Sequence, residues 1–137
     1  MAKVDVHKAF PGVRCDTTLW LSEGAATDIE RELPDRHDRG KFLAKLKEWA
    51  IAGFADREGG DNSAIRHEGD GVYRIWWKRG SLFRLVGFYT EGKREFIALA
   101  AMSKKGQKYT PGQWERIQRV AEIRKTGGWQ RVEDDRA

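Results

Sequence analysis

Lys104 and Lys105 stand where an apolar run, FIALAAMS, gives way to a polar connection, and Lys108 and Tyr109 follow on the same connection. Upstream, Arg66, Arg74 and Arg84 each fall in or beside a short run of β-forming residues. Cationic side chains gathered from separate strands can hold a phosphate and stabilise charge that develops on it during reaction. A lysine crowded by arginines loses affinity for its proton, so Lys104 or Lys105 is the candidate general base or acid. His67 and Tyr109 are the alternatives for that role. Against this stands a plainer reading, in which KKGQK is a solvated turn.

Composition narrows the choice. The chain has 137 residues, 39% hydrophobic and 34% charged, with a net charge of +5. That suits a single domain with one modest core and a polyanionic partner. The single cysteine, Cys15, excludes an internal disulfide and a cysteine-based zinc site, and is read as a passive small residue. His7, His37 and His67 lack metal-ligand spacing, so neither metal nor cofactor is expected. No apolar run approaches the roughly 20 residues of a membrane span. MAKVDVHKAF has no secretory core, and a cytoplasmic protein is the expectation.

The elements that must position these residues follow from periodicity. CDTTLWLSE (15–23) reads as a short first strand. Ser22 can cap a helix through Leu33, with Ala25, Ala26, Ile29 and Leu33 at helical spacing and Pro34 as its stop. A second helix runs from about Asp35 to Ala52, closed by Gly53, with Phe42, Leu43, Leu46, Trp49 and Ala50 as its apolar stripe. GVYRIWW, SLFRLVGFY and REFIALAAMS, joined by short loops, form an antiparallel meander, and AIRHE is a further short strand or the approach to one. Thr110, Pro111 and Gln113 begin a final helix, Trp114, Ile117, Val120 and Ala121 form its inward stripe, and Gly127 ends it. The expected fold is α+β, a small antiparallel sheet of three to four strands, with two N-terminal helices on one face and a C-terminal helix. One domain covers 1–137, with 1–14 and 127–137 as loose ends.

Alternation sorts the meander into two faces. Tyr73, Ile75, Trp77, Phe83, Leu85, Ile97 and Leu99 make an apolar core face. Val72, Arg74, Trp76, Leu82, Arg84, Val86, Ala98, Ala100, Met102 and Lys104 share the other. With three-residue turns at Lys78-Arg79-Gly80 and Glu91-Gly92-Lys93, Arg74 pairs with Arg84 and Arg84 with Ala100. Opposed arginines repel, so a carboxylate or a phosphate must neutralise them. Phosphate is favoured because no acid occupies a strand position on this face; Glu68, Asp70 and Glu95 are near enough to be the other answer. Trp76 either stacks on a nucleobase or lies under the final helix.

From Arg66 to Arg124 the chain resembles the RelE/HigB superfamily of bacterial toxins, in its HigB-like, phage-associated branch. IRHEGDGVYRIWW, LFRLVGFY and FIALAAMSKKGQKYTP follow one another in the order and spacing of that branch, after KFLAKLKEWAIAGF, which resembles its second helix. The resemblance implies a RelE-like fold and a ribosome-dependent mRNA endonuclease, neutralised by a small cognate antitoxin, a helix-turn-helix protein being one form of it. It carries catalytic roles to Arg84, Lys104, Lys105 and Arg66. Arg74, Lys108, Tyr109, His67 and Trp76 would bind RNA, and cleavage would proceed without metal through the ribose 2′-hydroxyl. The chain departs from the family pattern at Ala100, Met102, Arg74 and Trp76, which bears on catalysis more than on fold. The alternative is a non-catalytic RNA- or protein-binding module of the same fold, such as a phage accessory protein.

Overall fold

Four strands, β3 (Ile65–Gly69), β4 (Val72–Arg79), β5 (Ser81–Tyr89) and β6 (Glu95–Lys104), run as antiparallel neighbours. The computed structural model describes residues 1–4, 17–52, 65–79, 81–90, 95–104 and 108–129. Two N-terminal strands, β1 (Ala2–Lys3) and β2 (Thr18–Leu21), extend the sheet to six strands in the order β1-β2-β6-β5-β4-β3. The α+β class is as expected, but the sheet is larger and mixed, because β2 lies parallel to β6. The reason is visible in TLWL: Leu19 enters the core on one face and Trp20 the core on the other. A strand apolar on both sides is stable only inside a sheet. Residues 2–4 and 129, within the ends that the sequence reads as loose, make contacts: Ala2 and Lys3 pair with Leu21 and Trp20, Val4 N–H donates to Leu19 C=O, and Trp129 packs on Phe88.

Helices α1 (Glu23–Glu32) and α2 (Arg36–Ala52) cover one face, where Ala25, Ile29, Phe42 and Leu46 meet Ile75, Phe83 and Leu85. Ser22 caps α1 by accepting from Ala25 N–H. Helix α3 (Pro111–Thr126) covers part of the other face, with Ile117, Val120 and Ala121 on Val86, Phe88 and Met102. Its start is the anticipated capping box of Thr110 and Gln113, and its end is Gly127 at φ 73°, a left-handed cap that glycine adopts without strain. Gly53, Gly80, Cys15, His7 and the 91–94 turn lie outside the described residues. Among the described residues no helix is long and apolar enough to cross a membrane.

The face assignment holds for β4 and β5 and fails in part of β6. A bulge displaces the β5–β6 register between Val86 and Gly87, where Val86 pairs with Ala100 and Gly87 with Ala98. Before the bulge, Ala98 faces α1 and α2 while Ile97 and Leu99 face α3, the reverse of the expected alternation. Past it, Ala100 and Met102 return to the expected side. Gly87 permits this, because a Cβ there would lie 2.0 Å from the Ile97 carbonyl oxygen.

Beyond Ala98, β6 has lost β2 as its neighbour, and side chains finish its edge. Ser22 Oγ donates to Leu99 C=O, Ala101 N–H donates to Asp28 Oδ2, and Gln113 Nε2 donates to Ser103 C=O. Arg31 and Arg116 both bridge the buried Asp28, tying α1, α3 and β6 together. These contacts satisfy buried backbone groups that would otherwise be costly. They also hold α3 over the basic end of the sheet.

Candidate nucleic-acid interface

Strand register sets the cationic residues on the α3 face. Arg66 stands directly opposite Arg74 across β3 and β4. Across β4 and β5, Trp76 opposes Arg84 and Arg74 opposes Val86. The expected Arg74–Arg84 pairing is therefore corrected by two residues: the ladder continues to Arg79 opposite Ser81, closer to the hairpin end than a three-residue turn at 78–80 allows. A shift of two keeps side chains on the same face, so Arg74 and Arg84 remain diagonal neighbours there. Arg84 lies opposite Met102, and Lys104 lies two residues further along β6.

A carboxylate sits among them. The β3–β4 ladder is irregular between His67 and Gly69, which releases Glu68 from strict alternation. The hairpin that follows is tight, with Gly69, Asp70 and Gly71 all at positive φ. Glu68 Oε1 lies 2.8 Å from Arg74 Nε and accepts a hydrogen bond of 3.1 Å from the Tyr109 hydroxyl. The Tyr109 ring in turn lies against two cations, with Lys104 Nζ 4.6 Å and Arg84 Cζ 5.5 Å from its centroid. Arg74 Cζ lies 5.6 Å from the Trp76 ring. Each contact falls within cation–π range.

Burial makes this cluster electrostatically tense. Arg74 and Arg84 are each only 6% exposed. Burial lowers the Arg84 pKa from its ordinary value, and Arg74 lowers it further, against the opposing pull of Tyr109 and Glu68. Lys104 is lowered by burial first and by Arg84 next, with Arg74 and Arg66 adding to the effect and Glu68 opposing it. Burial pushes the Tyr109 phenol up, and the neighbouring Glu68 carboxylate pushes it further. Arg74 Nη1 is buried and has no hydrogen-bond partner among the described residues. An anion entering here would meet an orphaned donor.

The structure thus brings together Arg66, Arg74, Arg84, Lys104, Tyr109 and Trp76 from the residues singled out in the sequence. His67 is not among them. It pairs with Tyr73, packs on that ring at 4.9 Å, and its Nε2 accepts from Gly71 N–H, so alternation carries it to the opposite face. Lys108 is exposed on the connection before α3, and Lys105 lies outside the described residues. Two members were missed. The sequence offers Glu68 only as a nearby acid, since a strand irregularity has no sharp sequence signal. Helical spacing assigns Trp114 to the inward stripe of α3, yet it is 42% exposed and stacks on Tyr109 with centroids 6.2 Å apart and planes 29° apart.

Guanidinium groups held in a site of low solvent access suit binding of a phosphodiester and stabilisation of its developing charge. No group of three or more histidine, cysteine, aspartate or glutamate side chains stands ready for a metal among the described residues.

No family model matches the chain, and no curated protein matches it. Among solved structures it is similar to a chain of the intact Escherichia coli RelBE toxin–antitoxin complex, at 20% identity and a TM-score of 0.41, over 65% of this chain and 96% of that one. It is also similar to a chain of the RelBE2 toxin–antitoxin complex from Mycobacterium tuberculosis, at 19% identity and a TM-score of 0.37, over 66% and 100% of the two chains.

Proposed function

We propose that this chain is the toxin of a type II toxin–antitoxin system, of the HigB-like, phage-associated kind: a cytoplasmic endoribonuclease that cuts mRNA on the ribosome and is neutralised by a small antitoxin. The observation that carries this reading is the convergence of Arg66, Arg74, Arg84 and Lys104 around Tyr109 on one sheet face. The motifs that resemble the RelE/HigB superfamily supply three of these residues, Arg66, Arg84 and Lys104, which supports their acting together; Arg74 departs from the family pattern.

In this mechanism the ribose 2′-oxygen attacks the adjacent phosphorus as its proton passes to a base. The bond from phosphorus to the 5′ oxygen breaks, that oxygen takes a proton, and a 2′,3′-cyclic phosphate remains. Arg84 and Arg74 stabilise the charge that gathers on the phosphoryl oxygens. Lys104 is the proton carrier, because its lowered pKa makes the neutral amine more accessible than in an ordinary lysine. Tyr109, with its raised pKa, stays a neutral hydrogen-bond donor throughout the physiological range. Arg66 adds positive potential at the rim, and Lys108, exposed on the connection before α3, extends it.

The test is induction of the protein in bacteria with mapping of message ends, repeated with Arg84→Ala and Lys104→Met. Growth arrest and new message ends that both substitutions abolish are expected. Normal growth and intact transcripts with the unaltered protein would end the nuclease reading.

One observation favours a second reading, a non-catalytic RNA- or protein-binding module. Glu68 already neutralises the charge of Arg74 through Nε, so a phosphate that reaches Nη1 must compete with a carboxylate for that guanidinium. Salt-dependent RNA binding without cleavage, on and off ribosomes, would decide for that alternative.

A further inference from the structure

Trp114 is the exposed large hydrophobic residue among the described residues, and nothing in the core accounts for it. It lies in the first turns of α3, next to the capping box that fixes where the helix starts. One side of its indole is occupied by the Tyr109 ring at 6.2 Å and 29°. The same Tyr109 ring lies against the cations, with Lys104 Nζ 4.6 Å and Arg84 Cζ 5.5 Å from its centroid. Tyr109 thus joins the cations to a second ring that is open to water.

We infer that Trp114 is a nucleobase platform: it stacks an unpaired base of a single-stranded RNA whose phosphate is held by Arg84, Arg74 and Lys104. This rests on the RNA-binding reading of the basic cluster and adds to it a subsite for the base. A nucleotide has matching parts, an anionic end and a flat apolar end, so a strand that places its phosphate at the cations can lay its base on the indole. Stacking asks only for a π-face, which every base has, so the platform selects unpaired RNA over duplex without selecting sequence. The neighbourhood argues against a protein segment as the occupant, because the groups beneath the aromatic pair are cationic and suit phosphate.

The pair is held in place from below. Tyr109 donates to Glu68, and Gln113, beside Trp114, bonds both Ser103 C=O and Thr110 N–H. Little order remains to be imposed when a base arrives, which favours affinity.

The experiment measures fluorescence anisotropy of the full chain with two labelled strands of about eight nucleotides, a length within single-strand site sizes. Both strands carry 2′-O-methyl sugars, so neither can be cleaved; one bears bases and the other is abasic throughout. Trp114→Ala should weaken binding of the base-bearing strand about tenfold and leave the abasic strand unchanged, because phosphate contacts are untouched. Trp114→Phe should recover much of the loss. Equal weakening of both strands, or of neither, would overturn the platform while leaving the RNA reading of the cluster intact. If the unaltered protein binds neither strand, the RNA reading falls and the platform with it. Loss of a protein partner by Trp114→Ala, with both RNA strands still bound normally, would reassign Trp114 to that partner and overturn the inference.

Discussion

Glu68 and Arg74 form an ion pair of 2.8 Å in which both side chains are largely withdrawn from water. Arg74 needs it, because Arg66 stands directly across the ladder from it and like charges in that position repel. The sheet thus neutralises its own arginine pair with a carboxylate released by a bulge. That carboxylate is also the group with which a phosphate would compete for Arg74.

Glu68→Gln should cost about 2 kcal/mol of folding stability, the range for a hydrogen bond to a charged group. It should also free Arg74 for external anions. Urea denaturation with and without sulfate checks both. Sulfate should raise the midpoint of the variant more than that of the unaltered chain, since an anion that binds only the folded state stabilises it. Equal gains in the two proteins would mean that Glu68 does not guard the site.

Gly87→Ala should destabilise the fold by about 3 kcal/mol, at the severe end of overpacking. The added methyl meets backbone, the Ile97 carbonyl oxygen and the Ala98 Cα, and neither can rotate away. The bulge would have to open, and Ile97, Ala98 and Leu99 would lose their present faces. A denaturation midpoint close to that of the unaltered chain would show that β6 can adopt the unbulged register.

Asp28→Ala should cost about 2 kcal/mol, mainly because it leaves the buried Ala101 N–H without its acceptor, while Arg31 and Arg116 reach water. Asp28→Asn keeps an acceptor for Ala101 and should cost less. The difference between the two variants in chemical denaturation isolates the backbone contact. Identical losses would show that charge alone matters there.

Much of this was legible in the sequence where the signal is local. The capping box of Thr110 and Gln113 requires only residues three apart, and Ser22 announces α1 in the same way. Alternation in β4 and β5 put Arg74, Trp76 and Arg84 on one face, and an error of two in the hairpin register left that result intact. What escaped depends on distant partners. The bulge at Leu99 arises because Gly87, on another strand, lets β6 approach closely. TLWL joins the sheet in parallel with β6, a strand far away in the chain. Trp114 has helical spacing with Ile117 and Ala121, yet it stacks on Tyr109 from the preceding connection and stays exposed, and no pattern within α3 records that partner.

Lys104 and Tyr109 should act on stability in opposite directions at alkaline pH. The Lys104 pKa is lowered from its ordinary 10.5, by burial first and Arg84 second. Between that lowered value and 10.5 the unfolded chain holds a proton the folded chain has shed, so this residue's contribution to stability grows as pH rises through the window. Tyr109 is raised from its ordinary 10.0, by burial first and Glu68 second. Above pH 10.0 the unfolded phenol ionises while the folded one keeps its proton, so stability falls as pH climbs further. Urea midpoints followed against pH should therefore gain from Lys104 below that point and lose from Tyr109 above it. Lys104→Met should remove the gain and Tyr109→Phe the loss, and ultraviolet titration of tyrosinate should lose its latest step in Tyr109→Phe. Curves that keep their shape in both variants would mean that the two groups titrate as they do in water, and the cluster would then lack the burial on which its chemistry depends.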